Sequence, residues 1–388
     1  MNDRLGYRPG RPGYGRPGYG WNNWYNRHYH HHHGWHNGCW HRPWRPPSCW
    51  GYWWNRYPAL TAFGVTTWGI NRCGWAFGYN SYYNPYVTSN TVYVDNSIYD
   101  YSQPIMMAPG ESSFAGNPMD LPPESIPEVS LTAFDEARQE FYAGDYTGAL
   151  ESTNEALRDN PNDAVIHEFR ALTLFAMGEY QDSAATLYAV LSVGPGWDWT
   201  TLIGLYPDVE TYTTQLRALE GYVGDHPDDN AGLLILSYQY ITAGHDDAAA
   251  TELKRLIQLT PTDPVAIQLL LSVDPEAQLP EQPKEVVPPK PTSEIAKAQL
   301  DGSWSAKRGD RQFDMDLKED GTFAWTYSEG DQSQEVTGVW GVDDQGILAM
   351  EMNDDGVMLA QVLMNDGKLD FYMLGDTQDE PPLEFAKS

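Results

Sequence analysis

The sequence predicts a multidomain chain: an all-α stack of helical hairpins, then a small all-β antiparallel barrel-like domain, with a disordered low-complexity N-terminus ahead of both. Three observations carry this. Residue types recur at an offset of 34 through the middle, apolar residues alternate at period two from residue 302 onward, and the first 57 residues are mostly Gly, Arg, Pro, Tyr, Trp and His.

The middle segment is the most informative. GDYTGAL at Gly144 and GEYQDSA at Gly178 stand 34 apart, as do Pro161 and Pro195, and Pro227 and Pro261. Gly144 to Pro161, Gly178 to Pro195 and Gly244 to Pro261 each span 17 residues. Seven positions before each Gly is a small residue (Ala137, Ala171, Ser237), and three before it a large apolar one (Phe141, Phe175, Ile241). Ala156-Leu157, Val190-Leu191 and Leu256-Ile257 follow each Gly at matching distances. The Gly ends one helix, the small residue lets a partner helix cross closely, and the Pro stops the next helix. Such a hairpin has one apolar face and buries it only by stacking on its neighbours. Between Pro195 and Pro227 the pattern drifts: WDWTTLIGLYPD reads as a short or broken first helix, interrupted by Pro207, and Val209–Val223 as the second helix.

This spacing resembles the tetratricopeptide repeat, a 34-residue helix–turn–helix, over residues 130–272: three units and one degenerate one. The chain departs from the pattern at Ala133 and His167, where the first helix usually carries an aromatic, and at Ser183, usually Ala. The resemblance implies a concave groove lined by first helices, with Phe134, Arg138, Tyr142, Glu168, Leu172, Leu234 and Tyr238 as candidate partner-binding residues. Leu172 and Leu234 also suit packing between repeats. No Lys/Arg clamp for a peptide C-terminus is present. The 22 acidic and six basic residues of 130–272 leave a net charge of −16, which favours a basic or apolar protein or peptide partner.

After a Pro-rich linker (273–295), residues 296–388 alternate. Phe313, Met315 and Leu317 share one face, and candidate strands are 302–307, 311–317, 322–327, 335–342, 347–352, 357–363, 368–374 and 382–386. Asp320-Gly321, Asp355-Gly356 and Asp366-Gly367, with Asp344-Gln-Gly346, signal hairpins. Eight strands in sequence order predict an up-and-down barrel or a barrel-like curled sheet. Gly302-Ser303-Trp304 resembles the Gly-x-Trp motif of lipocalins, whose Trp closes one barrel end. A ligand cavity and a solid core of Phe313, Met315, Phe323, Trp325, Trp340, Met350, Met352, Phe371 and Met373 are the two readings of its interior, the solid core being preferred.

The head, residues 1–57, holds eight Arg against one acid, so the remainder of a chain of net charge −30 carries −37. That acidic field disfavours nucleic acid as a partner of the folded part. His30, His31, His32 and His33 are metal candidates by type, but a flexible tract offers no fixed geometry, so no metal site and no cofactor are assigned. Residues 58–104 are aromatic and β-prone, suggesting short strands, and 105–129 form a Pro-rich linker. Cys39, Cys49 and Cys73 are an odd number and give no disulfide framework. No segment reaches the roughly 18 apolar residues of a membrane span, and no export segment is visible. The arrangement resembles bacterial envelope-associated repeat proteins, which implies an extracytoplasmic site (periplasm or cell envelope), with the cytoplasm as the alternative.

His167-Glu168 opens like a zinc-protease helix, but Ala171 stands where the second His belongs. Asp314-x-Asp316 runs into Lys318, against a calcium loop, and no phosphate loop, dinucleotide fingerprint or nucleophile elbow is present. The expectation is a non-enzymatic interaction scaffold acting through the repeat groove, or alternatively a carrier or sensor holding a small apolar ligand in the barrel.

Overall fold

The computed structural model describes residues 74–75, 77–79, 82–87, 99–105, 128–194, 196–280, 295–330, 332–343, 346–352, 357–374 and 381–388. The head with His30–His33 and the cysteines, most of both linkers, and most of the β-prone stretch lie outside them. The expected strands fall on residues that lie outside the described ones, apart from 99–101; the described parts of 58–104 are short helical, turn and irregular stretches.

Three hairpins form where the 34-residue offset places them: α1 (Glu128–Ala143) with α2 (Tyr146–Asp159), α3 (Ala164–Met177) with α4 (Tyr180–Val193), and, beyond the drifted unit, α7 (Asn230–Thr242) with α8 (Asp246–Leu259). The drifted unit is a five-residue α5 (Trp199–Ile203) followed by α6 (Val209–Asp225), and α9 (Pro264–Val273) ends the stack. Gly144, Gly178 and Gly244 all have positive φ at their turns, and the small residues Ala137, Ala171 and Ser237 are buried where helices cross. Part of the acidity is local: Asp145, Asp163, Asp198, Asp208, Asp229 and Asp263 cap helix N-termini by accepting backbone N–H bonds. Each such cap is worth about 1 kcal/mol.

The drifted unit changes the stacking. Because α5 is too short to stand between its neighbours, α4 packs directly on α7. The α5–α6 unit reaches back instead: Tyr206 packs edge-on to Phe141 at 5.0 Å, Gln215 Nε2 donates to the Tyr146 hydroxyl at 2.7 Å, and Tyr222 meets Tyr180 at 4.8 Å. Among the described residues, no helix is long and apolar enough to cross a membrane.

A single turn, α10 (Lys297–Leu300), leads into eight strands: β1 (Gly302–Arg308), β2 (Arg311–Leu317), β3 (Thr322–Glu329), β4 (Gln332–Val342), β5 (Ile347–Met352), β6 (Val357–Asn365), β7 (Lys368–Met373) and β8 (Leu383–Lys387). Each pairs antiparallel with the next, and β8 returns to β1 through Trp304↔Lys387 and Ser305↔Ala386, closing an up-and-down barrel. The β6–β7 turn places both Asp366 and Gly367 at positive φ, as the Asp-Gly pair predicts. Phe313, Met315, Trp325, Met350 and Phe371 are fully buried inside. One end is closed by α10: the Trp304 indole donates to Leu300 O at 2.7 Å, and the Trp340 indole to Lys318 O at 3.0 Å. The other end receives Phe77 and Tyr79, both buried in the same core.

Candidate functional site

The groove residues named from the repeat pattern have a different environment from the one expected. Phe134, Arg138, Glu168, Leu172, Leu234 and Tyr238 are all at most 4% exposed, and only Tyr142, at 43%, presents an open side chain. The cause around Glu168 is visible. The loop after α4 turns inward at Gly196 and sends Trp197 against Glu168, Leu172 and Tyr238, filling the space left by the shortened α5. Gly196 is at φ +82°, and a Cβ there would come within 2.7 Å of the Tyr238 ring and 2.9 Å of Glu168 Oε1, so only glycine fits. Glu168 Oε1 accepts from the Trp197 backbone N–H at 2.6 Å and from the Tyr238 hydroxyl. Its Oε2 has no hydrogen-bond partner among the described residues. Burial pushes the carboxyl up to about 8, only partly opposed by the bonds from Tyr238 and Trp197. Leu172 and Leu234 act as inter-repeat packing. Arg138 is buried beside Asp135, whose carboxylate accepts at 3.1 Å, and desolvation lowers its guanidinium to about 10.

The stack holds upstream chain elsewhere, along α4, folded in two turns: Val87 N–H donates to Asn84 O at 3.3 Å and Gln103 N–H to Asp100 O at 3.0 Å. Residues 82–87 and 99–105, far upstream in sequence, lie against it. Asn84 is the organising residue: its Nδ2 donates to Ala185 O at 2.8 Å and to Tyr101 O at 3.1 Å, and its Oδ1 accepts from Tyr86 N at 3.1 Å. Gln181 on α4 donates to Tyr86 O at 2.5 Å. The Tyr86 hydroxyl reaches the N-cap carboxylate Asp263 of α9 at 3.2 Å. Burial holds that carboxyl up at about 6, against the α9 N–H bonds that favour its charge. The rings of Tyr82 and Tyr86 pack on Tyr188, and Ile105 packs with Ala189 and Val190.

His167, one of the departures from the repeat pattern, completes this contact. Its Nε2 lies 2.8 Å from Pro161 O, a pure acceptor, so Nε2 carries the proton and Nδ1 accepts from the Tyr101 hydroxyl at 2.8 Å. Full burial lowers the imidazole to about 3, so it stays neutral, and Arg170 stacks over the Tyr101 ring at 5.5 Å. His167 and Glu168, adjacent in sequence, therefore point into different neighbourhoods: one toward the upstream segment, the other toward Trp197. The sequence offered one signal for the first, the missing aromatic at His167, and none for Asn84.

Hairpin geometry, the glycine turns and the 34-residue period agree with a family comparison in which residues 134–196 match the tetratricopeptide repeat. The match ends where the repeat drifts, at the loop carrying Trp197. Among solved structures, the chain is similar to MamA 41-end from Desulfovibrio magneticus RS-1, at 18% identity over 35% of this chain and 78% of that one, with a TM-score of 0.19. A second, the MamA RS-1 ArsTM double mutant, is 16% identical over 38% and 94%, also with a TM-score of 0.19. No curated protein sequence matches this chain. The repeats support protein–protein interaction as the general role, since that is what stacked repeats of this type offer.

Proposed function

We propose that this protein is a non-enzymatic scaffold that holds turn-forming protein segments on its helical stack, along α4 and the first turn of α9. The observation that carries this reading is the seating of residues 82–87 and 99–105 there, with Gln181 donating to the segment's backbone and Tyr188, Ala189 and Val190 supplying apolar contacts. A backbone-directed donor beside a ring-lined face suits peptides of varied sequence. The net charge of −16 across 130–272 favours a basic or apolar partner. Of the first-helix residues, Tyr142 is the one whose exposure suits direct contact with such a partner. The alternative, a carrier of small apolar ligands, has less support, because Phe313, Trp325, Phe371 and Phe385 fill the barrel and Phe77 enters it.

The test is a full-length chain with Asn84→Ala and Tyr86→Ala, which loosens the resident segment, titrated with a fluorescent peptide of residues 82–105 by anisotropy. The variant is expected to bind at least tenfold more tightly than the wild type, whose own segment competes at high effective concentration. Equal or absent binding in both would overturn the proposal.

A further inference from the structure

The barrel carries a second held segment, and its geometry is that of a built recognition site. Phe77-Gly78-Tyr79 enters the end of the barrel marked by Arg308 as a tight turn, with Gly78 N bonded to Trp75 O at 2.9 Å. Phe77 is fully buried, edge-on to Trp325 at 5.2 Å and stacked with Phe323 at 6.0 Å. The Trp325 indole N–H donates to the Phe77 carbonyl at 2.9 Å, so this buried backbone acceptor is satisfied. Tyr79, 2% exposed, lies 6.2 Å from Phe371, with the Arg308 guanidinium 4.6 Å over its ring. Between the two aromatics the backbone rides on the Tyr327 ring. Gly78 is at φ +65°, and a Cβ would sit 2.2 Å from Tyr327 Cγ.

Three features thus read the sequence of the turn, an aromatic slot, a ring that tolerates only glycine and a cation beside the second aromatic, while the indole donor holds its backbone. We propose that this end of the barrel is a peptide-binding site for an aromatic–Gly–aromatic turn, occupied in this chain by its own Phe77-Gly78-Tyr79 and open to the same motif from another chain when that segment withdraws. Arg308 also donates to Pro381 O at 2.7 Å, which fixes it at the rim before any ligand arrives. Only residues 80 and 81 separate this turn from the segment on α4.

The site is testable apart from the stack, because its peptide does not include residues 82–105. The full-length chain carrying Phe77→Ala and Tyr79→Ala, checked for a cooperative thermal transition, is titrated by calorimetry with a blocked peptide of residues 75–80. One-to-one binding is expected, at least tenfold tighter than to the wild type. The same peptide with Ala at the Gly78 position, and a peptide of residues 61–66 (Phe63-Gly64-Val65 at its centre), should each bind at least tenfold more weakly. A folded variant that binds none of them, or binds the Ala peptide equally well, overturns the proposal. Should that variant not fold, a photo-crosslinking p-benzoylphenylalanine at position 77 of the otherwise native chain decides. Crosslinks to residues 323–327 support the site, and crosslinks elsewhere or none overturn it.

Discussion

Replacing Glu168 by Gln should remove a falling limb from the stability curve between about pH 6.5 and 8. In the folded chain, burial raises the Glu168 carboxyl to about 8 from an ordinary 4.5. Between those values the folded state keeps a proton that the unfolded state has released, so stability falls as pH rises. Two neighbours complicate the lower part of the range. His167, lowered to about 3 from 6.5, has the opposite sign: its contribution is complete above 6.5 and is lost as pH falls. Asp263, raised to about 6, acts with the sign of Glu168 but mostly below that value. Above pH 6.5, Glu168 is left to dominate. At about 1.4 kcal/mol per pH unit, the 1.5 units to pH 8 amount to roughly 2 kcal/mol at most. The amide keeps an acceptor for Trp197 N–H and the Tyr238 hydroxyl and does not titrate. Urea unfolding followed by tryptophan fluorescence, with the slope against urea held constant, measures the difference. A constant offset between wild type and variant is compatible with the reasoning, since the amide puts an NH2 group at the unpartnered position of Oε2. Parallel slopes against pH would refute it.

Other perturbations follow from the same contacts. Asn84→Asp puts a carboxylate against the carbonyls of Ala185 and Tyr101, and should destabilise the seating of the upstream segment by about 3 kcal/mol or more, read as faster amide exchange at residues 84–87. Gly196→Ala brings a methyl group into Tyr238 and Glu168 at positive φ; a loss of about 1–3 kcal/mol and a red-shifted Trp197 emission are expected, and an unchanged thermal midpoint would contradict the fit described. Trp304→Phe removes the donor to Leu300 O at the closed end of the barrel and should cost about 1–3 kcal/mol in thermal or urea unfolding, with the strands retained by circular dichroism.

The local grammar of both folded regions was legible in the sequence. Every strand was located to within three residues at each end, because period-two alternation and Asp-Gly turns are properties of adjacent residues. The helical hairpins followed from Gly, small-residue and Pro positions for the same reason. The groove did not follow. Assigning Glu168, Leu172 and Tyr238 to an open face assumed a regular superhelix, and one short helix was enough to let α4 reach α7 and to draw Trp197 inward. The held segments were illegible for a different reason. Asn84 to Ala185 spans 101 residues and Trp325 to Phe77 spans 248, and an aromatic, Gly-rich stretch reads the same whether or not a distant pocket receives it. The one local hint, His167 where an aromatic is usual, becomes meaningful only once Tyr101 is placed on it.

The central claim, that the stack holds turn-forming segments along α4 rather than within the first-helix groove, is tested most directly by hydrogen exchange. The Asn84→Ala, Tyr86→Ala chain is compared with and without the peptide of residues 82–105. Added peptide should slow exchange across Tyr180–Val193 and the first turn of α9 at Val265 and Ala266. Protection confined to the first helices around Tyr142, or none at all, would contradict the account.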